Sequence, residues 1–111
     1  PCCQHDLQKQ INGGGPFKAV FRHGILRERF ADILTDTFRT QILRILGFRV
    51  KVVEFVGAEA TARNILIRAE YAVKPGQIEA VREYLELRDY FKVTPYLETR
   101  LADKLSKYFE L

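Results

Sequence analysis

The densest reactive cluster in the chain is Cys2-Cys3-Gln4-His5, at its very start. Two thiols and an imidazole can ligate a metal, and His23 is an available fourth donor. Structural zinc sites usually leave two to four residues between paired cysteines, and adjacent cysteines do not easily reach one tetrahedral ion. A thiol and an imidazole can also work as nucleophile and base. Two positions apart, they would have to face each other across a turn. Pro1 offers a third chemistry, because a terminal proline amine acts as a base in small tautomerases. There it opens a buried strand, and PCCQHDLQ has no strand pattern. The remaining reading is structural: two small thiols at the start of a short helix, one of them buried.

A second constellation is Arg29, Asp32, Asp36 and Arg39. Steps of three, four and three place them along one helix face as an ion-pair ladder, which is more often structural than catalytic. Gly13-Gly14-Gly15 looks like a phosphate cradle only in composition. A dinucleotide loop needs G-x-G-x-x-G between a strand and a helix, and no strand pattern precedes Gly13. Arg22, Arg27, Arg29, Arg39, Arg44, Arg49 and Lys51 could face phosphates, but no RNA-binding module signature accompanies them. Tyr84, Tyr90, Phe91, Tyr96, Tyr108 and Phe109 read as core and tail packing.

The elements that must position these groups follow from periodicity. The 111 residues suffice for one domain, and 47% apolar with 29% charged content is ordinary for a globular chain. A net charge of +4 permits a nucleic-acid partner without requiring one, since eighteen Lys/Arg mix with fourteen Asp/Glu. There is no long apolar run to span a membrane and no signal core in PCCQHDLQKQ, so a cytoplasmic protein with reduced thiols is expected. Leu7 and Ile11 mark a short helix over 4–11. Leu26, Phe30, Ile33, Leu34, Phe38, Ile42, Ile45 and Leu46 recur at helical spacing, predicting a long helix over 25–46. Gly47 stands where a left-handed helix stop belongs.

Phe48 to Val56, FRVKVVEFV, is strand chemistry with apolar groups on both faces, so it wants cover on both sides. Asn64 to Tyr71 alternates as an antiparallel partner. The long helix is expected to bury its stripe on the first of these strands. Pro75 suits the first turn of a helix through Ile78, Val81, Tyr84 and Leu85. Thr94 and Pro95 are placed to cap and start a last helix through Leu97, Leu101, Leu105 and Tyr108. Two strands make a poor sheet. The doubly apolar strand therefore implies that the rest of its sheet lies in other sequence or in another subunit.

PCCQH, then HGILRERFADILTDTFR, then LGFRVKVVEFV, then TARNILIRAEY together resemble the C-terminal half of a family of class I S-adenosylmethionine-dependent methyltransferases. In that family a Pro-Cys-Cys segment closes the fourth strand and a long helix carries Thr-Asp-x-x-Arg. A strand ending in Glu-Phe-Val and a Thr-x-x-Asn-Ile-Leu-Ile-Arg strand follow. YLELRDYFKVTPYLE is similar to the family's ending, so the resemblance covers roughly residues 1–100. It implies an α/β fold: the C-terminal part of a Rossmann-like methyltransferase sheet, with a closing antiparallel strand pair and flanking helices. Residues 1–73 would belong to the methyltransferase-like domain and 74–111 to a helical C-terminal extension.

The same resemblance implies that Pro1, Cys2 and Cys3 line a methyl-acceptor pocket, with His5 beside them. Related enzymes hold the target amine there with an Asn/Asp-Pro-Pro-aromatic segment. The glycine-rich cofactor loop has no counterpart in this chain, so S-adenosylmethionine is expected to bind the full-length protein only. RNA is the expected substrate class. The alternative is a non-catalytic helix–hairpin interaction or dimerisation module, either a relic or a dimer that completes its own sheet.

Overall fold

A computed structural model describes residues 15–56 and 63–109. The expected helix over 4–11 lies outside them. A 3-10 turn over Gly15–Phe17 leads into α1 (Lys18–Phe21), and α2 (Gly24–Ile45) follows. Then come β1 (Phe48–Val56) and β2 (Arg63–Tyr71), α3 (Ile78–Phe91), α4 (Tyr96–Arg100) and α5 (Ala102–Leu105). A 3-10 turn over Ser106–Tyr108 ends the described chain.

β1 and β2 pair antiparallel from Phe48↔Tyr71 through Val52↔Ile67 to Val56↔Arg63. Among the described residues this is a two-stranded sheet, flanked by helices in a mixed α/β chain. No described helix is long and apolar enough to cross a membrane.

α2 runs against β1, as its periodicity suggested, but the fully buried part of its stripe packs on α3. The buried apolar residues are Phe21, Ala31, Leu34, Phe38, Ile42, Ile45, Ala80, Val81, Tyr84, Phe91, Val93 and Leu105. They come from the helices and the turn after α3, and none of the described strand side chains is among them. α2 thus serves two neighbours, and its deepest residues face α3. Leu34, Phe38, Ile42 and Ile45 recur at steps of four, four and three, and that line meets Ala80, Val81 and Tyr84. Phe38 packs edge-on against Tyr84, with ring centroids 5.5 Å apart. Leu26 and Ile33, read as part of the stripe, are exposed. Thr35 can be buried because its hydroxyl donates to the Ala31 carbonyl at 2.8 Å.

The chain leaves α2 through Gly47, whose φ is +101°, as a left-handed stop requires. Its carbonyl accepts from the Ala72 and Val73 amides at 3.2 and 3.1 Å, and the Ile45 carbonyl accepts from the Gly76 amide at 2.7 Å. The segment after β2 thus closes over the end of α2. Pro75 does not start α3, which begins at Ile78; its ring lies against Gly47 instead. The residue before α4 is an extended Pro95, not Thr94, and the helix begins at Tyr96. Leu101 then splits the last helix in two.

A Cβ at Gly47 would stand 2.7 Å from the Val73 carbonyl oxygen and 3.2 Å from Pro75 Cγ. Gly47→Ala is therefore expected to cost at least about 2 kcal/mol in urea unfolding, from the left-handed backbone and the collision together. Gly24→Ala, at the open start of α2, is expected to be neutral or to add up to roughly 1 kcal/mol. Equal stabilities for the two variants would contradict this account of the junction.

Candidate functional site

Pro1, Cys2, Cys3 and His5 lie outside the described residues, as do Gly13 and Gly14. His23, the suggested fourth metal donor, is exposed in extended backbone just before α2. Among the described residues no group of three His, Cys, Asp or Glu side chains could hold a metal ion.

The charged ladder on α2 is shorter than its spacing suggested. Arg39 pairs with Asp36 at 3.4 Å, one helical turn away. Arg29 attracts Asp32, as the ladder expected, but burial first and then the carboxylates of Glu28 and Asp36 outweigh it and hold the Asp32 carboxyl above the usual range.

Two polar networks that the sequence did not announce hold the helices together. In the first, the Tyr84 hydroxyl donates to Glu98 Oε1 at 2.7 Å, and Arg88 donates to the same oxygen at 2.9 Å. The Arg88 guanidinium also lies over the Phe109 ring at 5.3 Å, and Tyr84 stacks flat on that ring. Tyr84 and Arg88 are one turn apart on α3. Glu98 reaches them because Lys92 turns the chain in a left-handed conformation, φ +53°. A lysine gives no signal for such a turn, so the cluster could not be read from spacing. In the second network, Glu83 Oε2 accepts from Gln41 Nε2 at 3.0 Å and from Arg44 at 2.9 Å, tying α3 to α2. Each network gathers two donors on one carboxylate oxygen that bridges two parts of the chain. They fit a role in holding the helices.

A groove of about 530 Å³ lies beside the second network, with Phe17, Gln41, Glu83, Leu87, Tyr90 and Phe91 among its walls. Its floor is the aromatic cluster in which Phe17 meets Phe30 and Phe91, each at 5.4 Å.

The hairpin leaves apolar surface open, as the helices do at Ile25, Ile33 and Ile78. Opposed residues in an antiparallel pair share a face, and successive residues alternate. Phe48, Val50, Val52, Ile65, Ile67, Ala69 and Tyr71 therefore fall on one face. Phe48 and Val50, nearest α2, are half-buried, whereas Val52 is 52% exposed and Ile65 45%. On the other face, Leu66 is also 45% exposed. At half exposure, each such side chain forgoes roughly 1 kcal/mol of burial.

No family model, curated protein or solved structure matches this chain.

Burial, then the bond to Glu98 and its negative charge, raise the Tyr84 pKa well above its ordinary value. A raised folded-state pKa means the native protein holds this proton more tightly than the unfolded chain. The resulting stabilisation is complete below about pH 10, the ordinary tyrosine value, and is lost as pH climbs beyond it. In an absorbance titration of the five tyrosines, the Tyr84 phenolate should appear only together with unfolding. Tyr84→Phe should remove that step. Tyr84 ionising in the folded protein at an ordinary pH would contradict the assignment.

Proposed function

We propose that this chain is the C-terminal part of an S-adenosylmethionine-dependent methyltransferase acting on RNA, with the cofactor-binding half outside the chain. The observation that carries the reading is the uncovered hairpin: Val52 and Ile65 on one face and Leu66 on the other remain half exposed in the folded chain. A strand pair built for the interior of a wider layer leaves such surface when its neighbours are elsewhere. The order of motifs from PCCQH to NILIR supplies the enzyme class. In this reading β1 and β2 are the closing strands of the methyltransferase sheet. Pro1, Cys2, Cys3 and His5 line the acceptor pocket, at the strand ends where ligands of such sheets bind.

The described residues do not fit the cofactor. Gly15 opens a 3-10 turn that runs straight into the four-residue α1, and no described strand precedes it. A nucleotide cradle needs a strand, a glycine turn and a helix start in that order. No chemical step is therefore assigned to the 111 residues by themselves.

A second reading shares the same observation. A non-catalytic helix–hairpin module could cover the apolar face with a second copy of itself. Most of that face's described side chains are uncharged, so self-association would bury little charge.

Calorimetric titration of S-adenosylmethionine into the 111-residue chain should show no micromolar binding, and micromolar heat would contradict the division proposed here. The coding sequence immediately upstream of Pro1 is expected to specify a strand, a glycine-rich loop and a helix. An in-frame stop there, with a homodimer in sedimentation, would replace the methyltransferase reading with the second one.

A further inference from the structure

The hairpin's second face carries a different chemistry from its apolar one. Register places Arg49 opposite Glu70, Lys51 opposite Arg68 and Val53 opposite Leu66 on this side. Arg49, Lys51 and Arg68 are all exposed, and with Ala69 and Glu70 they line a shallow concavity of about 590 Å³. Three cations meet one carboxylate here.

Lys51 and Arg68 stand directly across the ladder from each other, an arrangement that destabilises a strand pair. Ion pairs among the described residues include Arg39 with Asp36, Arg44 with Glu83, and Arg88 with Asp89 and Glu98. None of them reaches Arg49, Lys51 or Arg68. Glu70 offsets one of the three cations, so the cluster keeps an excess of positive charge that a carboxylate at position 51 or 68 would relieve. An anion bound from outside would relieve it equally. Lys51 supplies a compact ammonium, while Arg49 and Arg68 supply planar forks suited to phosphate oxygens.

We infer that Arg49, Lys51 and Arg68 form a binding surface for the phosphodiester backbone of single-stranded RNA. The choice of RNA rests on the functional reading above. The surface itself requires no methyl transfer and would serve the non-catalytic module equally.

The test is fluorescence anisotropy of a labelled short oligouridylate with the 111-residue chain, across a salt series. The chain should bind, with an affinity that falls steeply as salt rises. Lys51→Gln/Arg68→Gln should weaken binding about fivefold or more at low salt and reduce the salt slope by roughly 1.4, at about 0.7 for each phosphate no longer neutralised. Arg100→Gln/Lys104→Gln removes the same charge from exposed sites on α4 and α5, and should change little. Thermal unfolding separates a binding role from a structural one. Removing the opposed cations should leave the melting temperature equal or higher, whereas a structural pair would lower it.

Equal weakening by the two double variants would overturn the assignment, as would the absence of binding at low salt. Saturable binding of inorganic pyrophosphate without binding of the oligonucleotide would overturn it too, by identifying a small-anion site. None of these outcomes depends on S-adenosylmethionine, so failure here is distinguishable from failure of the methyltransferase reading.

Discussion

Everything in this molecule turns on the left-handed backbone at Gly47. A side chain there would collide with the Val73 carbonyl, so only glycine lets the segment after β2 lie against the end of α2. That contact satisfies carbonyls which the last turn of a helix otherwise leaves open. It also decides the direction of the hairpin. β1 departs from the end of α2, and most of both strands lies beyond the reach of the helical core. The neighbouring Gly76, also at positive φ, sits under the Tyr108 ring, so the C-terminal segment is fastened to the same corner.

The core itself is helical. α2 crosses the chain's length to meet α3, and their contact is sealed by Tyr84 on one side and the Glu83 network on the other. Burial and electrostatics cooperate there. Glu98 is acceptable in a largely buried position because a hydroxyl and a guanidinium both bond one of its oxygens, and the guanidinium supplies the balancing charge. The sheet touches this core chiefly along α2, where Phe48 and Val50 are half-buried. Among the described residues the buried apolar side chains belong to the helices and the turn after α3, while Val52, Ile65 and Leu66 on the strands stay half exposed.

Much of the fold was legible from local chemistry. The apolar spacing located α2 within a residue of each observed end, Gly47 marked the stop, and β1 spans the residues its composition indicated. β2 begins one residue earlier than its alternation suggested. The errors share one cause: periodicity shows that an element has an apolar face but not what the face will meet. Ile42 and Ile45 could serve a strand or a helix equally well, and the pairing with Val81 and Tyr84 is a tertiary choice. Pro75 and Thr94 carried starting signals that longer-range packing redirected. Lys92 carried no turn signal at all. Of the candidate chemistry, the cysteines, Pro1 and His5 fall outside the described residues. The ladder on α2 is cut short because Asp32 sits among other acids. The opposed cations on the hairpin needed a register before they could be recognised, and no reading of a single strand supplies one.

The separation of hairpin and core has a consequence for how the molecule breathes. Strand amides that hydrogen-bond chiefly to each other, with little packed over them, open at a free energy set by the ladder alone and not by global unfolding. The chain therefore has two levels of cohesion. The helices can persist while β1 and β2 part, and whatever covers or extends the ladder raises only the lower level. A partner met by this surface would act first as a clasp on a loosely held element, gaining in order what it spends in association.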